Sequence, residues 1–252
     1  MKKILAFDSD DTIVVSKMPA TERMAHLLAE NMKYRDVCII SGTGFEDTIY
    51  PNTVAQIEKI PGVDLTRLHI MPTCGTRYYR YQDGKWQLQY QEDLTAEQKA
   101  KIFEAIEVSA KELDMWVKNP AGEIIEDRLS QITYSALGQQ ATPEDKYAWA
   151  KANEDKRRLL NEAVKKRIPE FEVRTAGTTS LDVTKPGIDK AYGIKKLMEA
   201  TGVTMDEILF FGDKLEEGGN DFPVKNLGVD CVAVTRWEDT AYALEGIAAV
   251  SK

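Results

Sequence analysis

Ile4-Leu5-Ala6-Phe7-Asp8-Ser9-Asp10-Asp11-Thr12 is the stretch on which the fold turns. Four apolar residues in a row suit a strand buried on both faces, and the abrupt change to acidic and small residues marks its carboxyl end. The same arrangement returns along the chain. Val37-Cys38-Ile39-Ile40 runs into Ser41-Gly42, and Ile208-Leu209-Phe210-Phe211 runs into Gly212-Asp213. Cys231 to Val234 forms a fourth such run. Between the first two lies Thr21 to Met32, with Met24, Leu27 and Leu28 at helical spacing, and Phe45 to Ile60 follows the second. Strand and helix alternating at this spacing predict an α/β fold with a doubly wound parallel sheet.

The middle of the chain has a different texture. Tyr78 to Tyr90 carries Asp83-Gly84 between aromatic and apolar residues, the mark of a hairpin. Thr95 with Gln98 three residues later reads as a capping box, opening an amphipathic helix through Ile102, Phe103, Ile106 and Leu113. Glu123 to Arg128 and Gln131 to Ala136 predict strands, Pro143 to Arg167 a charged helical region, and Phe171 to Thr175 and Ser180 to Thr184 two more strands. After Pro186-Gly187 the α/β pattern resumes with a helix from Lys190 to Ala200. The expected organisation is a core of residues 1–90 and 187–252 with an inserted α+β cap of residues 91–186.

Composition narrows the function. In 252 residues there are 33 Lys and Arg against 41 Asp and Glu, a net charge of −8, which argues against nucleic acid as a partner. No apolar run approaches the roughly 18 residues that span a bilayer, and the four apolar residues after Lys3 are too few for a signal-peptide core. Cys38, Cys74 and Cys231 are odd in number and widely spaced, so neither a disulfide framework nor a zinc cluster is expected. A cytoplasmic protein with no membrane partner is the expectation, its oligomeric state left open and a homodimer compatible.

In an open parallel sheet, ligands bind outside the carboxyl ends of the strands. Asp8, Asp10 and Thr12, then Ser41 and Gly42, then Asp213 followed by Gly218-Gly219-Asn220-Asp221 should therefore meet in one crevice. Several carboxylates together repel and take up protons unless a cation neutralises them, and oxygen ligands of this kind suit Mg²⁺ with a substrate phosphate. Lys190 would add a positive charge, although spacing alone does not separate it from Lys185. An EF-hand is excluded, because Thr12 and Pro19 stand where it needs a third oxygen ligand and a bidentate Glu. A phospho-acceptor receiver domain has no place for the inserted cap. Glu216 and Glu217 read as a solvated loop, and His26, His69, Trp116 and Trp149 as structural residues.

Phe7-Asp8-Ser9-Asp10-Asp11-Thr12 resembles the first motif of the haloacid dehalogenase superfamily, Ile39-Ile40-Ser41-Gly42 the second, Lys190 the third, and Phe210-Phe211-Gly212-Asp213 with Gly218-Gly219-Asn220-Asp221 the fourth. Ile124-Ile125-Glu126-Asp127-Arg128, Ser180-Leu181-Asp182-Val183, Gly187-Ile188-Asp189-Lys190 and Phe210 to Lys214 resemble its phosphomannomutase branch. The resemblance implies a catalytic pair: Asp8 as nucleophile, forming an aspartyl-phosphate, and Asp10 as general acid and base. It implies phosphate binding by Ser41, Gly42 and Lys190, a Mg²⁺ held by Asp8, Asp10, Asp213 and Asp221, and cap contacts to substrate from Arg128, Ser180 and Asp182.

The pattern also departs from that branch. Gln139 and Lys146 stand where the cap of phosphomannomutases has arginines, Lys17 where one follows the first motif, and Ser41 where that branch has Gly. Asp11 replaces the usual Gly. An ammonium does not reproduce the bidentate grip of a guanidinium on phosphate. The expectation is therefore a Mg²⁺-dependent phosphatase of a small phosphorylated metabolite, a sugar phosphate, with phosphomannomutase or another hexose-phosphate mutase as the alternative. A non-catalytic phosphate-metabolite sensor ranks last, because it would not need Asp10.

Overall fold

The computed structural model describes residues 1–16 and 18–251, so Lys17 and Lys252 lie outside the described residues. The chain divides into two compact units, Met1–Gln91 with Asp189–Lys252, and Glu92–Ile188. In the first, β1 (Ile4–Phe7), β2 (Asp36–Ile40), β3 (Leu68–Met71), β4 (Arg77–Gln82), β5 (Lys85–Gln91), β10 (Ile208–Gly212) and β11 (Asp230–Ala233) form one sheet in the order β11-β10-β1-β2-β3-β4-β5. The pairings from β11 to β3 are parallel, and β4 and β5 extend the sheet antiparallel, as the hairpin signal predicts.

Alternation sorts the core strands between two apolar layers. Leu5, Phe7, Val37, Ile39, Ile70 and Phe211 pack with α1 (Glu22–Met32) and α8 (Trp237–Ala249). Ile4, Ala6, Cys38, Ile40, Ile208 and Phe210 pack with α6 (Lys190–Thr201) and α7 (Phe222–Leu227). Each fully buried Leu, Ile, Val or Phe among them contributes about 1.5–3 kcal/mol. This is why the runs carry no polar residue, and why the loops at their carboxyl ends are so tightly placed.

β3 is a strand that the sequence pattern did not reveal, because His69 interrupts its apolar run. The imidazole is buried and accommodated: Nδ1 lies 2.7 Å from the Tyr78 hydroxyl and Nε2 3.3 Å from Asp36. Phe45–Val54, read from the sequence as ordinary helix, is a wide-turned π helix containing Pro51, and it runs into α2 (Ala55–Ile57).

The second unit holds α3 (Ala96–Glu112), β6 (Ile125–Asp127), β7 (Gln131–Ser135), α4 (Pro143–Ala152), α5 (Glu154–Arg167), β8 (Glu172–Ala176) and β9 (Ser180–Thr184). The capping box of Thr95 and Gln98 opens α3. The charged region 143–167 breaks into two helices at Asn153, whose φ of −130° leaves the helical region and whose side chain donates to the Trp149 carbonyl. The sheet runs β6-β7-β9-β8, antiparallel throughout. One face packs Ile132, Tyr134, Val173, Leu181 and Val183 with Ile102, Ile106, Leu160 and Val164 from α3 and α5. The other face is polar. Gly187 and Ile188 fall within this unit rather than in the core, because the Gly187 N–H donates to Glu172 and Arg174 donates to the Ile188 carbonyl.

Burial holds the His69 imidazole below its ordinary pKa, with Asp36 opposing. The unfolded chain then binds the proton more readily, so stability is lost as pH falls through the ordinary histidine range near ~6.5. The Asp36 carboxyl, itself held below its usual range, loses its contribution only at lower pH. The Asp8 carboxyl, pushed up to about 7 by burial, gains stability as pH falls over the same range, so the histidine contribution is read as a difference: from pH 7.5 down to 5.5 the wild-type urea midpoint should fall relative to that of His69→Gln. An equal slope in the variant would show that other groups carry it.

Candidate active site

The loops after β1, β2 and β10 and the start of α6 carry the residues singled out from the sequence. Asp8 continues β1, its N–H donating to the Phe211 carbonyl at 2.9 Å, and it is 5% exposed. Lys190 opens α6 behind Asp189, whose side chain caps the helix by accepting from the Tyr192 N–H. Its ammonium lies 2.6 Å from Asp8 Oδ1 and 2.5 Å from Asp221 Oδ1, in a pocket where Lys190 and Asp221 are 1% and 0% exposed. Lys185, the rival candidate, points elsewhere and donates to the carbonyls of Glu92 and Asp93.

The electrostatics follow from this burial. Desolvation pushes the Asp8 carboxyl up to about 7, with the Lys190 charge opposing and Asp221 adding to the rise. Burial disfavours the Lys190 ammonium too, but the two carboxylates outweigh it and hold its pKa above the usual lysine range. Lys190 is therefore the fixed positive charge of the site.

Carboxylate oxygens of Asp8, Asp213 and Asp221 lie within 4.8 Å of one another. Asp213 Oδ2 accepts from Lys214 at 2.7 Å, while Oδ1 is buried without a hydrogen-bond partner. A hard cation with oxygen ligands would satisfy that orphan and relieve the crowding, so the donor set fits Mg²⁺. Asp10, expected among the metal ligands, is not part of this carboxylate group: the chain turns after Asp8, with Asp10 bridging to Val14.

Two glycines are required by space. A Cβ on Gly212 would meet Asp221 Oδ2 at 2.5 Å, and one on Gly219 would meet the Lys214 carbonyl oxygen at 2.1 Å. The loop from Asp213 to Asp221 thus folds back on itself, Lys214 and Asp221 exchanging hydrogen bonds. Glu216 and Glu217 are exposed, as expected of a solvated loop.

Ser41 is buried beside Thr43, with the two hydroxyls 2.9 Å apart, and Gly42 has open space where a Cβ would be. Sequence reasoning missed the turn that supports them. Thr73, Cys74 and Gly75 all have positive φ (46°, 58° and 83°), and their N–H groups reach across: Thr73 to the Thr43 carbonyl at 3.1 Å, Cys74 to that of Ser41 at 2.8 Å. The signal was available in Leu68-His69-Ile70-Met71 followed by Pro72. Asp11 also has positive φ, 57°, and its carboxylate accepts from the Ser16 N–H. That conformation accounts for the glycine usual there, since Asp enters it more readily than most residues.

In the second unit, Arg128, Ser180 and Asp182 belong to the polar side of the sheet. Arg128 donates to Glu126 at 2.8 Å, Asp182 accepts from the Thr133 hydroxyl at 2.8 Å, and Ser180 opens β9. Lys146 donates to the Gln139 carbonyl at 3.1 Å.

Comparison with known proteins gives the family. Residues 33–249 match the family described as eukaryotic phosphomannomutase. A phosphomannomutase of Spinacia oleracea is 26% identical over 229 residues, 88% of this chain and 85% of that one. The phosphomannomutase of Saccharomyces cerevisiae is 27% identical over 226 residues, 88% and 84% of the two chains. Among solved structures, a haloacid dehalogenase-like hydrolase from Bacteroides thetaiotaomicron superposes with a TM-score of 0.65 at 18% identity, over 98% of this chain and 100% of that one. An IMP-nucleotidase of Plasmodium falciparum gives 0.71 at 14% identity, over 98% and 68%. These two likenesses are of fold.

Millimolar Mg²⁺ should raise the melting temperature by about 5–10 °C at a hundredfold excess over Kd, and Asp213→Asn should cancel most of that rise. An unmoved melting curve in the wild type would refute the metal assignment. Asp11→Gly should leave stability within a few tenths of a kcal/mol, whereas Asp11→Val should cost about 1–2 kcal/mol by urea unfolding.

Proposed function

Because the chain belongs to the eukaryotic phosphomannomutase family, we propose that it isomerises a hexose phosphate by way of an aspartyl-phosphate on Asp8. Membership makes it an enzyme, a phosphotransferase of the haloacid dehalogenase superfamily. The step from phosphotransferase to mutase is supported by one observation above all: the family match, residues 33–249, runs through the whole inserted unit, which contains Arg128, Ser180 and Asp182.

On this reading an Asp8 oxygen attacks phosphorus while the bond to the sugar oxygen breaks. Asp10 gives its proton to the departing oxygen, then takes one from the sugar hydroxyl that attacks the phosphoenzyme in reverse. Lys190 and the Ser41–Gly42 loop hold the phosphoryl oxygens as charge moves onto them, work that positioning and fixed charge do without reorganisation. Asp8, Asp213 and Asp221 would hold Mg²⁺, which supplies further neutralisation of phosphoryl charge when bound.

Hydrolysis, which the sequence pattern favoured, stands second. Gln139 and Lys146 in place of arginines, and the Ser41 hydroxyl, are the observations on its side. Mannose 1-phosphate should be converted chiefly to mannose 6-phosphate, in a reaction stimulated by glucose 1,6-bisphosphate, with free phosphate the minor product. Predominant phosphate release would make the protein a phosphatase. Asp8→Asn should abolish both products, and Asp10→Asn should slow turnover by about 10²–10⁴-fold.

A further inference from the structure

Lys214 meets the carboxylate group of the site in three separate ways. Its ammonium lies 2.7 Å from Asp213 Oδ2. Its N–H donates to Asp221 Oδ2 at 3.1 Å, and its carbonyl accepts from the Asp221 N–H at 3.2 Å. Through space, Asp8 and Lys190 both act on the charge it carries. The backbone that bears this side chain is pinned from the other side as well. Gly219 passes so close that a Cβ there would meet the Lys214 carbonyl oxygen at 2.1 Å and the Lys214 Cβ at 2.9 Å. The loop therefore delivers a second ammonium to the carboxylates, beside the buried one of Lys190. The two differ in access to water: the Lys214 side chain is 47% exposed, that of Lys190 1%.

We propose that Lys214 is a positioning residue that acts through Asp213: its charge lowers the affinity of the site for Mg²⁺ and raises that of the loaded site for a phosphate dianion. This rests on the magnesium assignment in the proposed function, and not on whether the product is an isomer or free phosphate. The reason is charge balance. Asp8, Asp213 and Asp221, when ionised, carry three negative charges, and Lys190 and Lys214 two positive ones. With Mg²⁺ bound, the balance of these five groups passes from one negative charge to one positive, the sign that attracts a dianion. With Lys190 alone it would stop at zero. An ammonium could instead help the metal by orienting its ligand, but Asp213 ends a core strand and its side chain is only 9% exposed. Losing one bond to a half-exposed partner frees it little, whereas a unit charge beside a divalent cation acts in every orientation.

Calorimetric titration of the full chain tests this, first with Mg²⁺ and then with inorganic phosphate at saturating Mg²⁺. Lys214→Met should tighten Mg²⁺ binding about five- to twentyfold and weaken phosphate binding by a similar factor. Raising KCl from about 0.05 to about 0.5 M should shrink both differences, because salt screens an exposed charge. Lys214→Arg keeps the charge and should stay within about twofold of wild type in both titrations. Lys59→Met, which removes an exposed lysine bonded to Gln56, should change neither. Weaker Mg²⁺ binding by the methionine variant would mean that Lys214 orients Asp213, and equal binding that it only closes the loop; either result overturns the inference. If the methionine variant does not fold, Lys214→Gln decides by the same criterion. A wild type that binds Mg²⁺ keeps the metal assignment whatever the variants do, and one that does not bind it overturns both.

Discussion

Lys190 sits almost out of reach of water with Asp8 on one side and Asp221 on the other, and without its charge those carboxylates would repel and draw in protons. Much of the first unit can be understood as what is needed to keep that ammonium in place. Asp189 caps α6 so that the helix begins at Lys190, and the apolar layer beneath, with Ile194 and Leu197, seats the helix on the sheet. Gly212 has no side chain because Asp221 needs the space. A buried ion pair that loses one partner leaves an uncompensated charge, which makes these residues interdependent rather than additive.

The second requirement is backbone geometry that most residues resist. Asp11, Thr73 and Cys74 all adopt positive φ, and each lies in a loop at the carboxyl end of a core strand. Conformations of this kind cost energy that the surrounding structure must offset, and they recur where a site needs N–H groups aimed in fixed directions. Here the outcome is that the Ser41–Thr43 loop is held from behind by the Thr73–Cys74 turn.

What could be read from the sequence was what burial writes most plainly. β1, β2 and β10 were legible because a strand covered on both faces admits only apolar residues, and the acidic or small residues that end each run marked its carboxyl end. β3 was not, because His69 is buried by hydrogen bonding rather than by apolarity. The break at Asn153 leaves no trace in the helical periodicity around it. Spacing in sequence does not say how the loop turns after Asp8, so it could not tell that the Asp10 carboxylate stands apart from the group of Asp8, Asp213 and Asp221.

The two ends of the inserted unit meet at Lys185, whose single ammonium is shared between the carbonyls of Glu92 and Asp93, at 3.1 and 2.9 Å. Entry and exit of a hundred-residue excursion are thus stitched together inside the excursion itself. Such an insertion carries its own clasp: its two ends are tied by residues of 92–188.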